Sequence, residues 1–322
     1  MSIVPGAICS FEVQSAGKAV ALTAAGVAKA DGSAYRWLHF DRSTEGLEPW
    51  LRAHLPAASV DALLQAETRP RSDGHDGGLI VNLRGVNLNP ESDPEDMVSL
   101  RLWVTGDLVV SVRLRKIWAV DEMRQRVEAG QAPGTTQGLL AAIADGLTRR
   151  IETVVIALEE RTDALEEDIL GESVGEVAAH DLTGCRRTVI KLRRFINPQR
   201  EALSALAEGR DMEFSRQDRA QMRETANRSA RNVEALDTMR ERLMILQDHL
   251  DTQQARAMSR NSYLLSVIAA VFLPLGFLTG LFGVNVAGMP GVEASSAFWV
   301  LSGVSAVLGV VLFAVFKLSR WL

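Results

Sequence analysis

The side chain best suited to bind a metal ion lies where a long apolar segment ends. The stretch GLFGVNVAGMP, residues 280–290, follows a run without charges and contains a single amide, Asn285. An amide oxygen can bind a divalent cation or hold its water shell, and one asparagine per chain becomes a ring of oxygens in a symmetric oligomer. An asparagine here is also a common turn residue or helix C-cap. The residue type alone leaves both interpretations open.

The segment before Asn285 carries a line of small side chains at helical spacing. They recur at steps of three and four residues, so they share one face of a helix. Gly276 and Gly280 form a GxxxG pair, which is typical of close helix packing. The same face could instead line a narrow pore, with Leu273 as its hydrophobic constriction. The positions on this face are Ser262, Ser266, Ala269, Leu273, Gly276 and Gly280.

The ligands that strip zinc of its water are missing from this segment. Residues 263–282 and 297–316 contain no carboxylate, histidine or cysteine, and these are the groups that zinc sites use. A cation crossing here would keep much of its hydration and meet amide, hydroxyl and carbonyl oxygens. The most ligand-like histidine, His75 in SDGHDG, fits a polar turn better. The acidic stretch ESDPED, residues 91–96, is also expected to be a solvated turn.

Several other functions are weakened by what the chain lacks. The net charge of −5 argues against a nucleic-acid partner. Cys9 and Cys185 have neither CxxC spacing nor paired histidines, so no disulfide framework, structural zinc site or permanently bound cofactor is expected. The sequence contains no Gly-rich phosphate loop, HExxH motif or nucleophile elbow. We therefore do not expect an enzyme.

Two apolar segments have the length of membrane spans. Residues 263–282 and 297–316 are each 20 residues long and free of charge, which is about what a helix needs to cross a bilayer. Pro274 in the first segment is tolerated in a membrane helix. Arginines precede the first span, Lys317 follows the second, and the loop between them has no Lys or Arg. Without a signal peptide, this predicts a multi-pass inner-membrane protein with both termini in the cytoplasm.

The elements before the spans follow from periodicity. Residues 34–41, 79–87 and the hairpin 97–115 predict a small mixed sheet. After a Gly-rich linker at 130–138, two apolar stripes predict a helical hairpin that turns near residues 171–175. The stripes are Leu147, Ile151, Val154, Leu158, Leu165 and Ile169, and then Leu182, Val189, Leu192, Ile196, Leu203 and Leu206.

A coiled-coil-like seam follows in residues 215–261, which contain no proline or glycine. No break separates it from the first span, so one helix is expected from about residue 215 to about residue 282, roughly 100 Å long. Such a helix cannot bury its seam alone, which favours homo-oligomerisation. The seam comprises Met222, Ala226, Ala230, Val233, Leu236, Met239, Leu243, Leu246, Leu250, Gln253 and Ala257.

These elements predict an α+β membrane protein in which a cytoplasmic α/β domain and a helical hairpin precede a long stalk helix. The stalk helix continues into the first of two C-terminal transmembrane helices. The expected divisions are the α/β domain at 1–138, the hairpin at 139–214, the stalk at 215–262, the pore-lining first span at 263–283, the external loop at 284–296, the second span at 297–317 and a cytoplasmic tail at 318–322.

The membrane motif resembles that of the CorA-type divalent metal-ion transporter superfamily. The signature of that superfamily is Gly-x-Asn at the end of the first span. Gly283, Val284 and Asn285 match it, and Met289-Pro290 matches the Met-Pro that often follows. The middle valine, GMPG, FLTGLFGVN, the ETRPR of residues 67–71 and the C-terminal SRWL are similar to the ZntB-type zinc-transporter branch. In layout the resemblance covers essentially the whole chain.

The resemblance implies a homopentameric funnel whose first spans surround a pore in the lipid bilayer. Asn285 would carry over as the selectivity ring, which meets the metal through its hydration shell. Ser262, Ala269, Leu273 and Gly276 would fall on pore-facing positions, and five copies of Glu293 would make a negative ring that attracts cations. The branch implies transport of Zn²⁺, optionally coupled to protons, and related proteins suggest Mg²⁺, Co²⁺, Ni²⁺ and Cd²⁺ as further cargo.

Three hypotheses follow from these observations. The first is a zinc transporter of the inner membrane, and the second is a channel of the same architecture for Mg²⁺, Co²⁺ or Ni²⁺. Leu273 and Gly276 stand where magnesium members often carry Thr or Met, which weakens the second hypothesis. The third is a membrane-anchored coiled-coil scaffold, for which the Gly-x-Asn motif has no purpose. The sequence fixes neither the direction of transport nor the gating mechanism.

Overall fold

The computed structural model describes residues 6–14, 16–22, 27–171, 176–209, 212–283, 291 and 293–318. The chain forms two compact units, Met1–Gln247 and Asp248–Leu322. The first unit contains a sheet and the helices packed on it. The second contains the two apolar segments.

Seven strands in the described residues form one mixed sheet in the order β2-β1-β3-β7-β6-β5-β4. Neighbouring strands are antiparallel except β3 and β7, which are parallel. The mixed α/β character predicted from the sequence is therefore confirmed. The strands are β1 (Cys9–Gln14), β2 (Ala19–Ala21), β3 (Ser33–Asp41), β4 (Arg71–His75), β5 (Gly78–Gly85), β6 (Val98–Val104) and β7 (Leu108–Arg113).

The polar turn predicted for SDGHDG is wrong over most of its length. Residues 71–75 form the edge strand β4, and only Asp76 and Gly77 make the turn into β5, with φ angles of 43° and 74°. A two-residue hairpin turn of type I′ needs positive φ at both positions, which Asp-Gly adopts readily. The strand escaped detection because edge strands can be polar on both faces.

Both faces of the sheet are covered. Helices α1 (Leu47–His54) and α2 (Ala57–Leu64) pack on one face over Ile80, Trp103 and Val110. On the other face, α3 (Trp118–Glu128) and the longer helices cover residues that alternate with these, such as Val81 and Leu102. Because the central strands are buried on both sides, they appear in the sequence as continuous apolar runs.

Helices α4 (Thr136–Leu170) and α5 (Glu176–Glu208) pack against each other. The predicted turn between them lies mostly outside the described residues. The α5 stripe is buried as predicted, but the α4 stripe is wrong at one position, because Val155 is buried and Val154 is only partly so. The buried line of α4 runs from Ile151 to Val155, four residues later, and includes Thr162. Because threonine is polar, the apolar pattern of the sequence did not reveal which α4 residues are buried.

Helix α6 (Arg216–Gly283) is 68 residues long without interruption, so the predicted long helix is confirmed. Ion pairs join its first half to α4 and α5: Arg228 to Asp145 at 3.2 Å, Arg242 to Asp163 at 2.6 Å, and Asp237 to Arg193. The predicted seam is buried at Met222, Ala226, Val233, Leu236, Met239, Leu243, Leu246 and Leu250, whereas Ala230 and Gln253 are partly buried and Ala257 is exposed.

In the second unit, the C-terminal part of α6 and helix α7 (Ala297–Leu318) are long and apolar enough to cross a membrane. A core helix of a soluble protein can pass the same test, but it is mostly buried. Here only 6% of the apolar window of α6 and none of that of α7 is buried. Large side chains such as Phe272 and Trp299 are 67% and 75% exposed, as expected for helices that face lipid.

Candidate functional site

The small-residue face of the first span is open in this structure. Ser262, Ser266 and Ala269 are exposed, and the Leu273 side chain is 70% exposed. A β-carbon added at Gly276, Gly280 or Gly283 would meet no atom within 4 Å. None of the described residues of the chain therefore covers this face.

The opposite side of the span is shielded instead. Val267 is buried, and Val271, Pro274 and Leu278 are partly buried. At 100° per residue these positions lie roughly across the helix from the small-residue face. Helix α7 also has one shielded stripe, formed by Leu301, Ser305, Leu308, Leu312 and Phe316. Within the described residues, the small side chains thus do not serve as a packing seam, and the face stays available to water or other copies of the helix.

The polar atoms that this span offers are oxygens. Ser266 donates its hydroxyl to the Ser262 carbonyl at 2.9 Å, and Thr279 donates to the carbonyls of Leu275 and Gly276 at 3.0 and 3.2 Å. Each hydroxyl oxygen keeps lone pairs that can accept from water. Pro274 has no N–H, so the carbonyl of Ala270 loses its usual helical donor. The sequence analysis did not include Thr279 among the candidate residues, although it lies three residues after Gly276, one helical turn away.

The proposed selectivity residues fall at the edge of the described structure. Gly283 is the last residue of α6. Val284, Asn285, Met289 and Pro290 lie outside the described residues. Glu293 is exposed in the turn before α7, where the Ala294 N–H donates to the Gly291 carbonyl at 3.1 Å. An exposed carboxylate at the start of α7 can attract cations and also suits the positive end of a helix.

The histidines do not assemble into a metal site. The described residues contain no group of three or more His, Cys, Asp or Glu side chains that could hold a metal ion. His39 is buried in the sheet and shares a 2.8 Å hydrogen bond with the Ser111 hydroxyl. Burial, together with nearby Arg113, lowers the pKa of His39 to about 3, so this side chain is a neutral core residue. His54 stacks on Trp50, and His75 lies 3.1 Å from Asp76 in the hairpin turn.

The second half of the acidic turn, residues 91–96, contacts helix α5. Glu95 accepts a hydrogen bond from the Thr188 hydroxyl at 3.1 Å, and Asp96 pairs with Lys191 at 2.8 Å. Glu91 and Asp93 are exposed, as the prediction of a solvated turn requires. The second half of the turn therefore serves to attach the sheet to the helices.

Comparison with known proteins agrees with this geometry. The family described as "CorA-like Mg2+ transporter protein" matches residues 32–318. The divalent cation transporter CmaX of Pseudomonas aeruginosa is 38% identical over 289 residues, which is 89% of this chain and 87% of that protein. The zinc transport protein ZntB of Yersinia enterocolitica is 33% identical over 323 residues, 99% and 97% of the two chains.

A solved structure extends the similarity to three dimensions. The structure of the full-length CmaX protein superposes with a TM-score of 0.84 at 35% identity and covers 99% of both chains. The likeness therefore includes both the sheet unit and the two apolar helices. This chain belongs to the CorA-like family of divalent cation transporters.

Proposed function

We propose that this member of the family is a zinc-preferring transporter of the inner membrane, with both termini in the cytoplasm. The main support is the 33% identity with a protein named for zinc transport, over 99% of the chain. The Gly-x-Asn motif at Gly283, Val284 and Asn285 and the GMPG that follows agree with this proposal. The described residues of the first span also offer no carboxylate, histidine or cysteine that would retain zinc tightly.

The proposed assembly is a homopentamer in which the small-residue face of α6 lines a central pore. One observation carries this proposal: no described residue covers the face, with open space over Gly276 and Gly280, while the opposite side at Val267 is buried. Five copies would turn Ser262 and Ser266 into rings of hydroxyl groups near one end. Leu273 would form an apolar ring, a constriction of the kind that can gate by dewetting.

In the proposed mechanism, the cation moves with much of its water. Desolvation of a divalent ion is costly, and a ring of Asn285 oxygens at the outer mouth would hold the hydrated ion. Glu293 would raise the local cation concentration before the ring. Such a ring selects charge and hydrated size more than zinc itself. Because the spans contain no carboxylate or histidine, a coupled proton would have to move along water or through groups outside them.

A magnesium channel is the second candidate, because the matching family carries Mg²⁺ in its description. Flux of Zn²⁺ and Mg²⁺ into liposomes containing the purified protein separates the two functions. We expect faster zinc flux, an increase with an inward proton gradient, and a loss of selectivity in Asn285→Ala. Asn261→Ala, an amide exchange just before the first span, is the matched control.

Magnesium flux that exceeds zinc flux and ignores the gradient would transfer the assignment to the channel. Absence of any divalent flux would leave a scaffold role. Native mass spectrometry of the detergent-solubilised protein tests the pentamer separately, since any other copy number would contradict the five-fold pore.

A further inference from the structure

An open groove in the first unit is bordered by three arginine side chains that pair with no acidic side chain among the described residues. It has a volume of about 580 Å³ and is lined by Phe214, Arg216, Arg219, Ala220, Arg223, Glu224 and Asn227. Ligand sites commonly have volumes of about 300–1,000 Å³, so the groove could hold a small molecule. Its lining residues are not among those named above for the proposed cation pathway.

The three arginines share one side of α6. They occur at positions i, i+3 and i+7, which recur on the same helix face, and they span roughly 10 Å along the axis. None of them makes an ion pair with a carboxylate within the ranges that the structure describes. Further along the same helix, Arg228, Arg231 and Arg242 all bind carboxylates.

The arrangement of the groove favours an anion. Arg219 lies against Gly209, where an added β-carbon would come 3.2 Å from its terminal nitrogen. Its Nε is buried and has no hydrogen-bond partner among the residues that the structure describes. The first turns of a helix also attract negative charge. Among the described residues of the lining, Glu224 is the carboxylate, and Arg231 already binds it at 3.1 Å. Nearby Asp218 accepts hydrogen bonds from Ser215 and Thr135.

We propose that this groove binds a small molecule with a chain of two or more phosphate groups, such as a nucleoside triphosphate. Guanidinium groups match phosphate oxygens through paired, charge-assisted hydrogen bonds. Arg216 and Arg223 start about 10 Å apart along the helix axis, and a phosphate chain can contact successive guanidinium groups along such a row. The cation pathway and this site would then be separate features of one chain, so either can fail without the other.

The test is equilibrium binding of ATP and of tripolyphosphate to the full-length protein in detergent, measured by calorimetry with a metal chelator present. The chelator removes divalent cations that could bridge the ligand to the protein. Arg223→Gln should raise the Kd about tenfold, and adding Arg219→Gln should raise it further by a similar factor. Glutamine keeps the helix propensity and most of the side-chain length. Arg240→Gln, an exposed arginine elsewhere on α6, should leave the Kd within about twofold.

Tighter binding of ATP than of tripolyphosphate would identify a nucleotide, and equal binding would identify the phosphate chain alone. The proposal is overturned if neither compound binds saturably at millimolar concentration, as when a second copy fills the groove. It is also overturned if Arg240→Gln weakens binding as much as Arg223→Gln, because the attraction would then be unspecific. Zinc flux in the same variants reports separately on the transport function.

Discussion

The two ends of α6 have similar spacing but opposite surroundings. Between Met222 and Leu246, the apolar stripe consists mainly of large side chains and is mostly buried in the first unit. Between Ser262 and Gly280, the stripe consists mainly of small side chains and is exposed. Large apolar residues gain stability from burial within the chain. Small residues gain little, and they allow other helices or water to approach the backbone.

The largest expected effect is on the free energy of unfolding, which should respond to a change in the buried stripe and not to one in the exposed stripe. Leu236→Ala should lower the free energy of unfolding by about 2–5 kcal/mol, because Leu236 is fully buried and its loss leaves a cavity. Leu273→Ala should change it by less than about 0.5 kcal/mol, because that side chain is 70% exposed in the chain, but it should alter ion flux. Urea unfolding followed by circular dichroism measures the first quantity. Equal destabilisation by both changes would show that the stripes do not differ.

A pair of glycines sharpens the same contrast. A β-carbon at Gly78 would lie 2.5 Å from two ring carbons of buried Trp103, so Gly78→Ala should cost about 3 kcal/mol. At Gly276 an added β-carbon meets no described neighbour within 4 Å, so in Gly276→Ala only flux or oligomer formation should respond. Gly106→Ala, also in open space in the first unit, is the control for the unfolding measurement. If Gly106→Ala lowered the free energy of unfolding as much as Gly78→Ala does, the steric explanation would be refuted.

The buried sheet should also give the first unit a pH dependence that the spans lack. The folded-state pKa of His39 is lowered to about 3, so the unfolded chain binds this proton first as the pH falls. Stability should therefore be complete above the unfolded pKa of about 6.5 and decrease below it, by about 2 kcal/mol at pH 5. Unfolding curves at pH 7 and pH 5 measure this loss. His39→Gln should remove about that part of the difference, and an unchanged difference would contradict it.

The smallest expected effect concerns the ion pairs beside the buried stripe. Arg242→Gln removes contacts with Asp163 and Glu166, but the arginine side chain is 31% exposed. Partly exposed pairs are screened, so we expect a loss of at most about 1 kcal/mol that shrinks in high salt. Arg240→Gln, on the solvent side of the same turn, should have no measurable effect. A loss that does not depend on salt would point to packing of the arginine stem instead.

The predictable parts of this protein are those with a strong local signal. The long helix, the two spans and the hairpin of β6 and β7 follow from periodicity, from the absence of charge and from turn residues. Strands β1, β2 and β4 were missed, because they are short or polar and form only through pairing with a neighbour. The buried register of α4 was wrong at Val154, because Thr162 contributes to the buried line.

For the candidate site, the sequence indicated the small-residue face and the Gly-x-Asn motif. It did not indicate which side of the first span is covered.

In the first unit, the sequence contained no signal for the role of Gln199, whose side chain donates to the Arg84 carbonyl at 3.1 Å and accepts from the Arg84 N–H at 2.6 Å. That amide continues the hydrogen bonding of β5 where β4 has ended. Its partner is more than a hundred residues away, so no local pattern reveals it.

The sequence by itself determined the membrane spans, the long helix and the family, because length, charge and helical spacing are local properties. The tertiary structure alone decided that His39 is a neutral core residue, that Arg219 and its neighbours border an open groove, and that Val267 rather than Gly276 faces inward. Burial and ionisation depend on which distant residues surround a side chain, and only the folded chain brings those residues together.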